Sequence, residues 1–135
     1  MKSGNALSVE SVIEKGKPVI EAIEREISPL IRKARVVTLR GVDVLAVNYS
    51  GKHHSDLGHR LCEATFKDNE KSPMKASLTW FLGDENIFRC SLRSSEDGPD
   101  VRRIAESFGG GGHTHAAGFE FDGDIRDILT GKFDT

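Results

Sequence analysis

From Val9 to Ala34 the apolar residues Val9, Val12, Ile13, Val19, Ile20, Ile23, Ile27, Leu30, Ile31 and Ala34 recur at helical spacing and form one stripe. Pro18 suits the first turn of a helix, and Pro29 should kink or split the segment. The pattern therefore predicts a short helix near 8–15 and a longer one near 18–34, after a polar, frayed stretch over 1–7. The period then changes. Arg35-Val36-Val37-Thr38-Leu39 and Val44-Leu45-Ala46-Val47-Asn48-Tyr49 flank the turn-like Arg40-Gly41-Val42-Asp43, which reads as a hairpin. The second run is apolar on both faces, as a buried strand would be. Ser55-Asp56-Leu57-Gly58 opens a further helix, with Ser55 as N-cap and with Leu57, Leu61, Ala64 and Thr65 facing inward. A charged loop follows from Lys67 to Pro73. Ala76 to Leu82 and Asn86 to Arg93 alternate around Gly83-Asp84-Glu85 and predict a second hairpin.

Beyond Pro99, the spacing of Val101, Ile104, Ala105 and Phe108 marks a helix that should end at Gly109. A short strand over Phe119-Glu120-Phe121 and a weak helix near 124–130 close the chain. The expected fold class is α/β: a mixed sheet of about five strands, two hairpins plus a short C-terminal strand, flanked by helices. The division expected is 1–34 as N-terminal linker helices and 35–135 as the main domain.

Composition narrows the function classes. In 135 residues, 19 Lys and Arg stand against 21 Asp and Glu, a formal net charge of −2. That balance excludes a broad basic surface that binds nucleic acid by charge alone, so any such contact must be built from a few placed groups. No apolar run is long enough to span a bilayer and no signal-peptide core follows Met1, so no membrane partner is expected. Cys62 and Cys90 form no CxxC and are too few for a disulfide framework, which suits free thiols in a cytoplasmic protein.

Chemistry concentrates at Gly109-Gly110-Gly111-Gly112-His113. Each ordered glycine sacrifices about 0.5–1 kcal/mol of backbone entropy relative to alanine, so a run of them is kept where a Cβ would collide or φ must be positive. Such a run can turn several N–H groups toward one anion, and His113 stands where its ring could donate to a phosphate oxygen. A helical turn over Thr114 to Ala117 would add its own free N–H groups. The alternative is a glycine C-cap followed by a plain loop. No Gly-Lys-Ser/Thr follows, which excludes a Walker A loop, and the run succeeds a helix rather than a strand, which excludes a dinucleotide fingerprint.

The segment Gly109 to Phe119, Gly-Gly-Gly-Gly-His-Thr-His-Ala-Ala-Gly-Phe, resembles the signature of the C-terminal, DHH-associated domain of the DHH phosphoesterases. Ser91-Leu92-Arg93-Ser94 is similar to the strand end that precedes that signature, and Ser55-Asp56-Leu57-Gly58 to its Ser-Glu-Leu-Gly helix start, with Asp in place of Glu. The resemblance spans about residues 35–121. It implies a substrate-binding domain that holds the phosphate of a nucleotide or of short single-stranded RNA or DNA. It implies Arg93 and His113 as the phosphate contacts, the amides of Gly110, Gly111 and Gly112 as the lining, and Ser94 and Ser55 as lesser candidates. Relatives of that kind include single-strand exonucleases, oligoribonucleases that also act on 3′-phosphoadenosine-5′-phosphate, and cyclic-dinucleotide phosphodiesterases.

In that family, catalysis belongs to a separate N-terminal DHH domain whose Asp-x-Asp and Asp-His-His motifs hold two Mn²⁺ or Mg²⁺ ions. This chain carries no such set, so no catalytic residue and no metal ligand is expected in it. Asp122-Gly123-Asp124 matches only formally, and Lys52 rather than Asp precedes His53-His54. His53, His54, Asp56 and His59 fit no common zinc spacing. The chain reads as the binding half of a metal-dependent hydrolase, with the DHH domain as its partner. The alternative is an RNA-binding or dimerisation module, whose homodimer seam would run along Val19, Ile20, Ile23, Ile27 and Leu30.

Arg93 offers a bidentate fork suited to phosphate, although alone it would read as one half of a surface ion pair. Within 89–115, Arg89, Arg93, Arg102 and Arg103 are balanced by Glu96, Asp97, Asp100 and Glu106. This predicts a pocket for one or two phosphates rather than a long electrostatic groove. Trp80 and Phe81 could stack a base, but aromatic strand residues more often belong to a core.

Overall fold

A computed structural model of the chain describes residues 9–65 and 73–135. The expected frayed stretch 1–7 and most of the expected charged loop fall outside these residues. Helix α1 spans Val9–Lys33, strand β1 Arg35–Leu39, β2 Val42–Asn48 and helix α2 His54–Glu63. Strands β3 (Ala76–Leu82) and β4 (Phe88–Ser94) follow, then α3 (Val101–Ser107), β5 (Gly111–His113), β6 (Ala116–Phe121) and α4 (Ile125–Leu129). The six strands form one open mixed sheet in the order β1-β2-β3-β4-β6-β5. Only β2 and β3 are parallel; α2 is the crossover between them.

The architecture is the expected mixed α/β sheet flanked by helices, with a sixth strand that the sequence pattern did not reveal. That strand is the glycine run itself: Gly111, Gly112 and His113 pair with Gly118, Ala117 and Ala116. Consequently β6 begins at Ala116 rather than Phe119, and Thr114 and His115 form a tight turn instead of opening a helix.

Two further expectations are corrected. The N-terminal segment is one continuous helix rather than two, and it runs through both Pro18 and Pro29. A proline inside a helix forfeits one backbone bond, about 3 kcal/mol. Around Pro29, Ile27, Leu30 and Ile31 dock on the core and offset that loss. The N-cap of α2 is His53, not Ser55, and Thr65 is exposed beyond the helix end.

Alternation along the strands sorts the core into two layers. On one face Val44, Ala46, Leu78, Cys90, Leu92 and Phe119 pack beneath Val101, Ile104 and Ala105 of α3 and Ile125 and Ile128 of α4. On the other, Leu45, Val47 and Tyr49 pack beneath Ile27 of α1 and Leu57 and Leu61 of α2. The second layer stops short, because α1 and α2 cover β2, β3 and only the Arg93 end of β4 on that face. Over the rest of β4 and over β6 and β5 no described helix lies on it.

Candidate functional site

Cross-strand register orders the open face into three rows. The first is Ser77, Arg93, Ala116 and His113; the second is Thr79, Ser91, Gly118 and Gly111; the third is Phe81, Arg89 and Glu120. Ala116 in the first row and Ser91 and Gly118 in the second are small, so a cleft of about 420 Å³ remains between the sheet and the first turns of α2. Ser77, Thr79, Ser91, Gly111 and Gly118 form its floor, and His54, Ser55 and Gly58 its wall.

Arg93 lies on this floor, half-buried. Its Nη2 donates to Ser55 Oγ at 3.2 Å. Gly58 makes that proximity possible, since a Cβ there would stand 3.1 Å from Arg93 Cδ and 3.4 Å from Ser77 Oγ. Among the described residues no carboxylate lies within ion-pairing distance of the guanidinium. Among the described residues, the Arg93 side chain donates to Ser55 alone, which leaves the other N–H groups of the fork for a ligand.

The four glycines have four different reasons. Gly109, at φ +86°, is the left-handed C′ residue of α3. Its N–H bonds Glu106 O at 3.0 Å and that of Gly110 bonds Ala105 O at 2.8 Å, a Schellman closure. Gly110 crosses the β6 backbone so closely that a Cβ would collide with Gly118 O and Phe119. Gly112 has φ +143° and no room above Ala116 and Ala117. Gly111 has neither constraint: no atom lies within 4 Å of where its Cβ would be. It is bare where it borders the cleft. Because the run enters a strand, its amides alternate in direction rather than converging as the expected nest would have them.

The structure brings Arg93, Ser55, Gly111 and Gly112 to one cleft. Gly110 lines the groove beside it. His113 is exposed at the sheet edge, in Arg93's row and on its face, two strands or about 10 Å away. Ser94 is not brought there. It alternates to the opposite face, buried, with its Oγ 2.7 Å from His115 Nδ1.

His54 is the cleft residue that sequence reasoning missed. Its Nδ1 lies 3.2 Å from Thr79 Oγ1, and the Tyr49 ring meets it edge-on at 4.8 Å. Burial pushes its pKa below the usual imidazole value, so the neutral ring is favoured at pH 7. Read as part of a His-His pair and as one member of a zinc set that did not fit, it was set aside; the polar residues at alternate strand positions, Ser77, Thr79 and Ser91, were the visible sign of a polar face.

A two-metal centre does not fit here. The cleft offers a guanidinium, hydroxyls, backbone and one imidazole, with no carboxylate to neutralise divalent charge. Among the described residues no three His, Cys, Asp or Glu are grouped to hold a metal. His53 instead faces Asp56 at 3.9 Å, and His59 pairs with Glu63 at 3.3 Å.

The DHHA1 domain model matches residues 42–130. Among curated proteins, the oligoribonuclease NrnB of Bacillus subtilis is 32% identical over 114 residues, 83% of this chain and 26% of its own length. An uncharacterized protein of Acanthamoeba polyphaga mimivirus is 33% identical over 122 residues, 85% of this chain and 27% of its own length. The chain thus spans about a quarter of the curated relatives it matches. A pGpG-specific phosphodiesterase from Vibrio cholerae shares the fold at TM-score 0.54 and 13% identity, over 90% of this chain and 42% of that one. An exopolyphosphatase-related protein from Bacteroides fragilis does so at TM-score 0.51 and 21% identity, over 78% and 31%. The chain belongs to the DHHA1 family, the DHH-associated domain of the DHH phosphoesterases.

Proposed function

We propose that this chain is the substrate-binding part of a DHH-family phosphoesterase, holding a phosphate of a nucleotide or short single-stranded nucleic acid against Arg93. The observation that carries this reading is the half-buried guanidinium on the cleft floor, without a carboxylate partner among the described residues and facing a glycine whose missing side chain neither packing nor φ requires. A guanidinium drawn partly out of water is stabilised by an anionic partner, and its donor fork suits a phosphate oxygen. His113, on the same face, supplies a second donor from the edge strand. The domain proper is 35–135, with 1–34 leading in from the DHH domain, which would carry the Mn²⁺ or Mg²⁺ and the hydrolytic chemistry in a cytoplasmic enzyme. The name of the Bacillus subtilis relative favours short RNA as the substrate.

Calorimetry with a 5′-phosphorylated ribodinucleotide tests the reading. Weak binding is expected, with a shallow salt dependence and at least about tenfold loss in Arg93→Ala. Full affinity in that variant overturns the assignment. Turnover of the dinucleotide by the isolated chain with Mn²⁺ overturns its catalytic incompleteness.

One observation favours a second reading, an interaction module: Val19 and Ile20 on α1 are 60% and 61% exposed. Ile23, Ile27 and Leu30 of that stripe are docked on the chain's own core. A dimer by light scattering at micromolar concentration, lost in Ile20→Lys, would establish it.

A further inference from the structure

Beside the cleft, and sharing His54, Ser91 and Gly118 with it, runs a groove of about 730 Å³. Its floor is the third cross-strand row, Phe81, Arg89 and Glu120. Its wall is the backbone of Gly109 and Gly110 where the chain leaves α3. Strand β5 ends one row earlier, which is why the floor is open there. We infer that this groove is the pocket for the nucleobase attached to the phosphate at Arg93, with the base stacked on Phe81. The inference rests on the proposed phosphate site and adds the class of ligand group that lies next to it.

Three features point the same way. First, Phe81 is half-buried on a sheet face where its neighbours in the row are charged, with its ring 5.8 Å from that of His54. It belongs to neither hydrophobic cluster, whereas its neighbour Trp80 packs against the core on the other face. An aromatic side chain left outside the core beside a polar cleft offers a stacking platform.

Second, the spacing fits one nucleotide. Rows are about 7 Å apart along the strands, so a phosphate between the first and second rows puts the third within reach of its own base across the ribose. The intervening row is Thr79, Ser91 and Gly118, small or hydroxylic residues suited to a sugar. Third, Arg89 and Glu120 pair at 2.8 Å, both about half exposed. Exposed pairs contribute little to stability, but a donor fork and a carboxylate at one end of an aromatic floor can read the edge of a base.

The test compares adenosine 5′-monophosphate with ribose 5-phosphate, which carries the same phosphate and sugar without a base. In NMR titrations of the unaltered chain, the nucleotide should bind at least about fivefold more tightly. Phe81→Ala should remove that advantage while leaving ribose 5-phosphate unchanged. Phe81→Leu, which keeps apolar bulk but no ring, should do the same if the alanine variant misfolds. Arg93→Ala should weaken both ligands. Equal binding of the two ligands by the unaltered chain, or equal weakening of both by Phe81→Leu, overturns the base pocket and leaves the phosphate reading standing. Indifference of both to Arg93→Ala overturns the phosphate reading, and the base pocket with it.

Discussion

Arg93 on β4 donates to Ser55 Oγ, in the first turn of α2, across 3.2 Å. This bond links the open sheet face to the helix that bounds it and aims the guanidinium into the cleft. An exposed hydrogen bond of this kind is worth about 0.5–1.5 kcal/mol, or roughly two- to tenfold in affinity, so Ser55→Ala should weaken dinucleotide binding by that factor. Arg93→Lys keeps the charge but loses the fork, and should fall between the unaltered chain and Arg93→Ala. Calorimetry on the three variants checks the order.

Adjacent glycines should respond oppositely to the same substitution. Gly111→Ala places its methyl in open space with an ordinary φ, so thermal stability should hold within about 0.5 kcal/mol while phosphate binding falls. Gly110→Ala drives a methyl into Gly118 O and Phe119, and should destabilise by at least about 2 kcal/mol. Thermal melts and ligand titrations on both variants separate a binding role from a packing role.

Much of the architecture was visible in apolar spacing. Leu57 and Leu61 marked α2, Val101, Ile104 and Ala105 marked α3, the first hairpin stood out by its β-branched apolar runs and the second by alternation. Strand β5 was not visible, because Gly111 and Gly112 have neither period nor strand preference; pairing with β6 makes it a strand. Pro29 misled for a related reason, as docking of Ile27 and Leu30 outweighs a local rule. At the site, the glycine run stood out by composition, and Arg93 was singled out through the resemblance of Ser91-Leu92-Arg93-Ser94. His54 and Gly58 were not, since their roles arise from what a helix brings near a strand 20 or more residues away.

Stability should fall in alkali through Cys90. Burial among Leu78, Leu92 and Phe119 pushes its thiol up to about 12. The raised folded value means the contribution is complete below the unfolded thiol's value near 9 and is lost as pH rises toward 12. Denaturant melts from about pH 8 to 11 should lose up to roughly 1.4 kcal/mol per pH unit above 9 from this group, and Cys90→Ala should flatten that limb. An equal slope in the variant would place the loss elsewhere.

Tyr49 ties α1 to the entry of α2. Its hydroxyl donates to Glu26 and accepts the His53 N–H at 2.8 Å, while the ring packs beneath Leu57 and Leu61. His53 is the N-cap of α2 and caps nothing with its own side chain, so this accepted bond sets how the helix begins. Tyr49→Phe retains the ring and strands the His53 N–H, which should destabilise by about 1–3 kcal/mol. Because Ser55 lies two residues further on, the same variant should also weaken dinucleotide binding without altering any residue of the cleft. Glu26→Gln keeps an acceptor for the hydroxyl and should leave binding unchanged. If Tyr49→Phe lowers the melting temperature yet binds normally, the Tyr49 hydroxyl contributes only stability; if both fall together, the bond it accepts from the His53 N–H sets the geometry of the phosphate site through the entry of α2.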